Sequence, residues 1–264
     1  ANSVYNLTIS SAIFPIFWGA LTIVRNDQGD IINDTVRFLG IDFNNDSLIS
    51  YVTALAFLVV SLISPLLSGI ADYVGNKKNF LKFFCYLGAL SCIGLYWFSL
   101  EFLWFGLLCY FFGLVGFWAS LVFYNSYLPD IAFPELQDAI SAKGYSLGYI
   151  GSVLLLIINL VMILKYEWFG FESEGMPTRL SFVMVGVWWI LFSQYTYYYL
   201  PKGNKKDAFT KAVVFNGFKE LKMIWKALHH DIRLRRYLTA FFVYSMAVQT
   251  IMLIATYFGL VELY

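Results

Sequence analysis

Seven runs of the chain carry no Asp, Glu, Lys or Arg over a length that can cross a bilayer: Val4 to Val24, Leu48 to Ala71, Phe83 to Leu100, Phe102 to Tyr124, Gly144 to Leu164, Leu180 to Leu200, and Tyr237 to Val261. At about 1.5 Å of rise per residue, about 20 helical residues match a hydrocarbon core of about 30 Å. Stretches such as FLVVSLI and LLLIINLVMIL are apolar without alternation, which predicts helices and not the short alternating strands of a barrel. The pattern predicts an all-α integral membrane protein. Pro15, inside the first run, predicts a kink there, and a polar loop joins the first two spans.

Composition supports this reading. Of 264 residues, 59% are hydrophobic and 13% charged, with a mean hydropathy of +0.66, against about 25% charged in a soluble domain. A net charge of +1 lacks the basic footprint that a nucleic-acid backbone demands, so nucleic acid is excluded as a partner and the lipid bilayer takes its place. Cys85, Cys92 and Cys109 lie inside apolar runs. The first two are separated by about 10.5 Å along a helix axis, too far for a disulfide, and all three read as small core residues.

The loops orient the chain. Fourteen of the eighteen basic residues follow the second, fourth and sixth runs, among them Lys77, Lys78, Lys82, Lys143, Lys202 and Arg236. Basic loops stay in the cytoplasm, so the N-terminus is cytoplasmic. This opposes the topology of seven-span receptors, and no lysine between Tyr237 and Val261 is available to hold retinal. Six spans, a long basic inner connection and one more span match the plan of a carrier built from two six-helix halves. The expected division is residues 1–200 as a six-span half, 201–236 as a cytoplasmic linker and 237–264 as the first span of the second half. Within the linker, Val214, Phe218, Leu221, Trp225 and Leu228 recur at helical spacing beside lysines, predicting an amphipathic surface helix. An odd span count, a first residue that is Ala and an end just after an apolar run predict a fragment whose partners include the missing C-terminal spans of its own chain.

The segment Ser64-Pro-Leu-Leu-Ser-Gly-Ile-Ala-Asp72-Tyr-Val-Gly75-Asn-Lys77-Lys78 resembles the loop signature of the major facilitator superfamily, matching it at Asp72, Gly75, Lys77 and Lys78 and departing at Ser68, Tyr73 and Asn76. Four further blocks sharpen the resemblance: Ala1-Asn2-Ser3-Val-Tyr5, Phe123-Tyr-Asn125-Ser-Tyr-Leu-Pro129-Asp130, Ile140 through Gly151, and Tyr244-Ser-Met-Ala-Val-Gln249-Thr250. Together they are similar to the "unknown major facilitator" family, relatives of the fungal vacuolar effluxers linked to autophagy. The resemblance implies a major-facilitator-type helical bundle and secondary transport of a small-molecule substrate by alternating access. Amino acids are the substrates it implies in the fungal branch. Short loops make a bacterial inner membrane the expected location.

Polar residues inside apolar spans need partners and so mark candidate sites. Asn6 and Ser10 are four apart on the first span, with Trp18 further along the same side; Ser245 and Gln249 repeat that spacing on the seventh, with Thr250 adjacent. In the resembled superfamily spans one, four and seven line the cavity, which implies substrate contact for these residues and for Asn125. Asp72, Gly75, Lys77 and Lys78 are implied to gate the inner face, where a carboxylate can latch against a helix N-terminus. Gly144, Gly148 and Gly151 form a small-residue packing face, Asn159 reads as an interhelical hydrogen bond, and Tyr195, Tyr197, Tyr198 and Tyr199 form an interfacial belt. Adjacent His229 and His230 point about 100° apart on a helix, so no metal is expected, nor any cofactor. The apolar spans hold no nucleophile or paired carboxylates for an enzyme. A non-transporting polytopic subunit or receptor is the alternative that composition alone permits.

Overall fold

The computed structural model describes residues 1–74, 77–201, 222–223, 226 and 231–262, and within these only the backbone of residues 65–66, 68–74, 249 and 252–262. Val214, Phe218, Leu221, Trp225 and Leu228 of the expected linker helix, with Gly75, His229 and His230, lie outside the described residues. The chain divides into two compact units, one of residues 1–60 with 78–201 and one of residues 61–77 with 202–264.

The helices are α1 (Phe14–Thr22), α2 (Asn45–Val74), α3 (Lys77–Gly94), α4 (Leu103–Asn125), the short α5 (Leu128–Ile131), α6 (Gln137–Leu164), α7 (Gly175–Tyr199) and α8 (Ile232–Glu262). Among the described residues, five stretches are long and apolar enough to cross a membrane: Asn45–Ser64, Lys77–Trp97, Leu103–Asn125, Pro134–Leu164 and Gly175–Tyr199. The molecule is a multi-span helical membrane bundle. Within such helices the backbone N–H groups past the first turn pair with carbonyls one turn back, the arrangement that lipid requires.

The first apolar run is divided. Tyr5–Ile13 is a π-helical segment that passes into α1 at Phe14, whose N–H still bonds five residues back to the Ile9 carbonyl. Pro15 has no N–H, and its ring would clash with a carbonyl four residues earlier, so the wider π turn accommodates it. The expected kink thus takes the form of a change of helical register just before the proline.

The connection from α1 to α2 is not an irregular polar loop. Strands β1 (Val24–Arg25) and β2 (Ile31–Asn33) form one antiparallel hairpin; β3 (Thr35–Phe38) and β4 (Ile41–Asn44) form a second. The first closes on Asn26, whose side-chain oxygen accepts from the N–H groups of Gln28 (3.0 Å) and Asp30 (2.7 Å). The all-α expectation therefore holds for the spans and is corrected in this connection, where alternating Thr-Val-Arg-Phe and Ile-Asp-Phe-Asn segments flank a Leu-Gly turn.

Within the first unit α4 is the most enclosed span, and α2 and α6 the least. Its centre is a close crossing of α3 and α4. A methyl group on Gly116 would lie 2.5 Å from the Gly88 amide nitrogen and 2.6 Å from its Cα, and one on Gly186 of α7 would lie 2.6 Å from the Ala89 carbonyl oxygen. Glycines on both neighbours thus admit the α3 backbone. Lipid supplies no hydrophobic drive between helices, so such close approach, through van der Waals contact, is what holds them. Tyr5 and Trp189, both fully buried with ring centres 5.9 Å apart, cover the crossing. Farther along, Phe14 stacks on Tyr110 at 4.1 Å.

Replacing Gly116 with Val puts side-chain atoms into the Gly88 backbone, which cannot move aside as a flexible side chain does. The expected cost is about 1–3 kcal/mol, the range for overpacking a core. It is read as a lower unfolding temperature in detergent; an unchanged temperature contradicts the crossing.

Candidate solute-binding site

On the first span, Ser10 is buried. The Tyr5 hydroxyl donates to the Tyr110 carbonyl at 3.4 Å, and the Tyr110 hydroxyl lies 3.4 Å from Thr53 Oγ1. Tyr110 of α4 is thereby tied both to the first span, through Tyr5, and to α2, through Thr53. Asn6 is half-buried, and its carbonyl accepts from Ser11 Oγ at 2.9 Å.

Trp18 occupies a different setting. Its ring is fully buried against Phe14 and Phe98, and its indole N–H donates to the Asn45 carbonyl at 3.2 Å. Asn45 Nδ2 donates to Thr22 Oγ1, which donates to the Trp18 carbonyl, closing a ring that pins the end of α1 to the start of α2. Trp18 is buried in this conformation, held by the core of the first unit.

A cavity of about 510 Å³ lies inside the first unit, near the first residues of the chain, among α3, α4, α6 and α7. Its lining includes Asn2, Ser3, Cys85, Tyr124, Tyr145 and Trp189. Asn2 Nδ2 donates to Ser120 Oγ at 3.4 Å. Asn125 does not line the cavity; its Oδ1 accepts from the hydroxyl of Tyr145, which does, at 3.2 Å, so Asn125 orients a wall residue. The Trp189 indole N–H points into no acceptor among the described residues. A mostly apolar and aromatic lining with a few polar side chains is the ordinary chemistry of a small-solute pocket.

This wall was not legible from the sequence as a site. The tyrosine belt divides, with Tyr197 buried at the cavity wall and Tyr195, which also borders the cavity, exposed together with Tyr198 and Tyr199. Lys82 reinforces the division, its ammonium 5.3 Å from the Tyr197 ring centre. Gly148 packs on Ser3, since a methyl there would meet Ser3 Oγ at 2.7 Å, which brings α6 against the first span. Asn159 makes no interhelical hydrogen bond; it is fully buried and neither amide atom has a partner among the described residues.

The gating candidates separate. Lys78 donates to the Leu200 carbonyl at 2.8 Å, placing a cation at the C-terminal end of α7, where the helix dipole favours it. Lys77 begins α3 and is half-buried. Asp72 is in α2 by its backbone, and its side chain lies outside the described residues, as does all of Gly75.

In the second unit, Asp231 caps α8, its Oδ1 accepting from the N–H groups of Arg233 (2.9 Å) and Leu234 (3.1 Å). Ser245 is half-buried and Thr250 exposed on this helix, while the Gln249 side chain is outside the described residues. Among the described residues no group of three His, Cys, Asp or Glu side chains could hold a metal ion.

The family described as "Vacuole effluxer Atg22 like" matches residues 19–264. The chain belongs to that family. It is 30% identical to the uncharacterized MFS-type transporter YxiO of Bacillus subtilis, over 98% of this chain and 58% of that protein. Against autophagy-related protein 22-2 of Aspergillus oryzae identity is 25%, over 92% of this chain and 52% of the relative; the same-named protein of Neosartorya fischeri is 24% identical, over 91% and 51%. The chain thus spans little more than half the length of these relatives. No solved structure matches.

The setting of Trp18 in this effluxer-like chain generates a prediction. Trp18→Phe removes one buried hydrogen bond and leaves a void, an expected loss of about 1–3 kcal/mol in thermal stability, with solute affinity unchanged. Weakened solute binding at unchanged stability would return Trp18 to the binding site.

Proposed function

We propose that this chain is the N-terminal six-span half, the linker and the first C-terminal span of a secondary carrier that moves a small solute by alternating access. The observation that carries the reading is the family match, which runs from residue 19 through the six-span region, the basic linker and the seventh apolar run. The printed description of the Bacillus relative as an MFS-type transporter supports the same class. Membership in such a family favours transport over catalysis.

Amino acids are the solute class we assign, following the resemblance to the fungal effluxers. Their charged ends and short apolar bodies suit polar side chains set among apolar and aromatic walls. In this proposal Asn6 and Ser10 from the first span and Ser245, Gln249 and Thr250 from the seventh supply those contacts, and Asn125 of α4 acts on the site through the wall residue Tyr145. Trp18 fixes the outer end of the first span instead of touching solute. The excess of Lys and Arg after the second, fourth and sixth runs supports a cytoplasmic N-terminus in a bacterial inner membrane.

Asp72, Gly75, Lys77 and Lys78 form the inner gate in this reading. The carboxylate latches to a helix N-terminus of the second half, and Lys78 secures α3 to the end of α7. Asp72→Asn should shift the full-length protein toward inward-open states. An engineered cysteine in the inner cavity then labels faster, with expression retained; unchanged labelling together with unchanged transport removes Asp72 from the gate.

Gln249 stands at the middle of the seventh apolar run, the depth at which carriers of this plan hold solute. Gln249→Leu in the full-length protein should weaken solute binding by roughly tenfold, equivalent to about 1.4 kcal/mol, at unchanged thermal stability. If the amide only joins helices, the loss is about 0.6 kcal/mol of stability and affinity is retained. Wild-type affinity for every amino acid bound defeats the assignment of Gln249.

A further inference from the structure

The β3–β4 hairpin has two chemically distinct faces. Its register pairs Thr35 with Asn44, Val36 with Phe43, Arg37 with Asp42 and Phe38 with Ile41. Side chains alternate along a strand and directly opposed residues share a face, so Val36, Phe38, Ile41 and Phe43 line one side. Thr35, Arg37, Asp42 and Asn44 line the other. An isolated hairpin in water has no use for an unbroken apolar face.

The turn makes the arrangement more pointed. Leu39 and Gly40 both have positive φ, +51° and +84°. Asn, Asp or Gly is favoured at the first position of such a turn, whereas leucine is strained there. The leucine nevertheless occupies the apex, with 84% of its surface exposed, and Ile41 beside it is 60% exposed. A costly backbone state that displays a large apolar side chain calls for something apolar to receive it.

Continuity identifies the receiver. Phe43 packs edge-on to Tyr51 with ring centres 6.5 Å apart, although Tyr51 lies eight residues farther along the chain, inside α2. The hairpin's apolar face therefore leans along the flank of α2. Tyr51, Leu55 and Leu58 recur at spacings of four and seven on that helix and are all exposed. Because Asn45–Ser64 is a membrane-crossing stretch by length and composition, this apolar stripe lies at membrane depth, and the hairpin face prolongs it toward the aqueous side.

Val36 is buried and Phe38 and Phe43 are half-buried, so the open part of this face is its tip. We infer that the β3–β4 hairpin is a lipid anchor, with Leu39 and Ile41 at its tip inserted among the acyl chains of the membrane interface. Arg37 and Asp42, paired across the strands, keep the opposite face in water. The anchor fixes the lateral position of the first-span to second-span connection, and with it the ends that Trp18 and Asn45 join.

The test uses the full-length protein in phosphatidylethanolamine and phosphatidylglycerol liposomes, with photo-reactive benzoylphenylalanine at Leu39. The same probe at exposed Gln28, in the polar turn of the first hairpin, is the reference. Illumination should give several-fold more phospholipid adduct at Leu39 than at Gln28. The probe at Ile41 gives a second reading that leaves the turn unaltered, and there Leu39→Asn, which suits the backbone, should keep the fold while lowering the lipid adduct. A predominant adduct to protein, from this chain or another copy, overturns the proposal in favour of a protein contact. Equal, low lipid adduct at all three positions overturns it in favour of a solvated loop.

Discussion

Everything in the N-terminal unit hangs on how closely α3 can approach its neighbours. Gly88 and Gly116 bring two backbones into contact, and Gly186 does the same from α7 against the Ala89 carbonyl. In a bilayer the helices gain nothing by hiding apolar surface from lipid, so dense contact at such crossings decides which helices stay together. Tyr5 and Trp189 seal the crossing from the side of the first span, and the Tyr5 hydroxyl spends itself on the Tyr110 carbonyl. One crossing thus fixes α3, α4, α7 and the start of the chain as a body.

Such a body can carry a cavity without collapsing onto it. The space bounded by Ser3, Tyr124, Tyr145 and Trp189 lies beside the crossing, and its walls are held by contacts made elsewhere. The Tyr5–Tyr110 hydrogen bond and the Trp18–Asn45–Thr22 ring secure the first span at two heights. Large and small motions then divide naturally: what the unit contains stays packed, and alternating access, as proposed, moves whole halves.

Much of the fold was legible because charge-free runs of bilayer length have few alternative fates. Helical spans rest on run length and composition, and the blocks around Asp72, Asn125 and Gln249 on a resemblance that the family match bears out. Less was legible where a local departure decided the outcome. Pro15 signalled a disturbance but not that a π-helical segment would precede it. The Leu39-Gly40 turn carries no Asn-Gly signature, so the β3–β4 hairpin passed for loop. Trp18 shares a stripe with Asn6 and Ser10, yet a hydrogen bond to Asn45 draws it into the core, a long-range partnership that periodicity does not encode. Tyr197 and Trp189 became cavity walls because α7 packs on α3, which no pattern within α7 alone reveals.

The account's central claim is that these residues belong to a carrier that exchanges solute across the membrane. Counterflow in proteoliposomes holding the full-length protein tests it most directly, with amino acids first and then peptides and sugars. An unlabelled solute trapped inside should drive transient, saturable accumulation of the same labelled solute from outside, as a site that faces the two sides in turn requires. Flux that never saturates, or that equals protein-free liposomes for every solute class, contradicts the account.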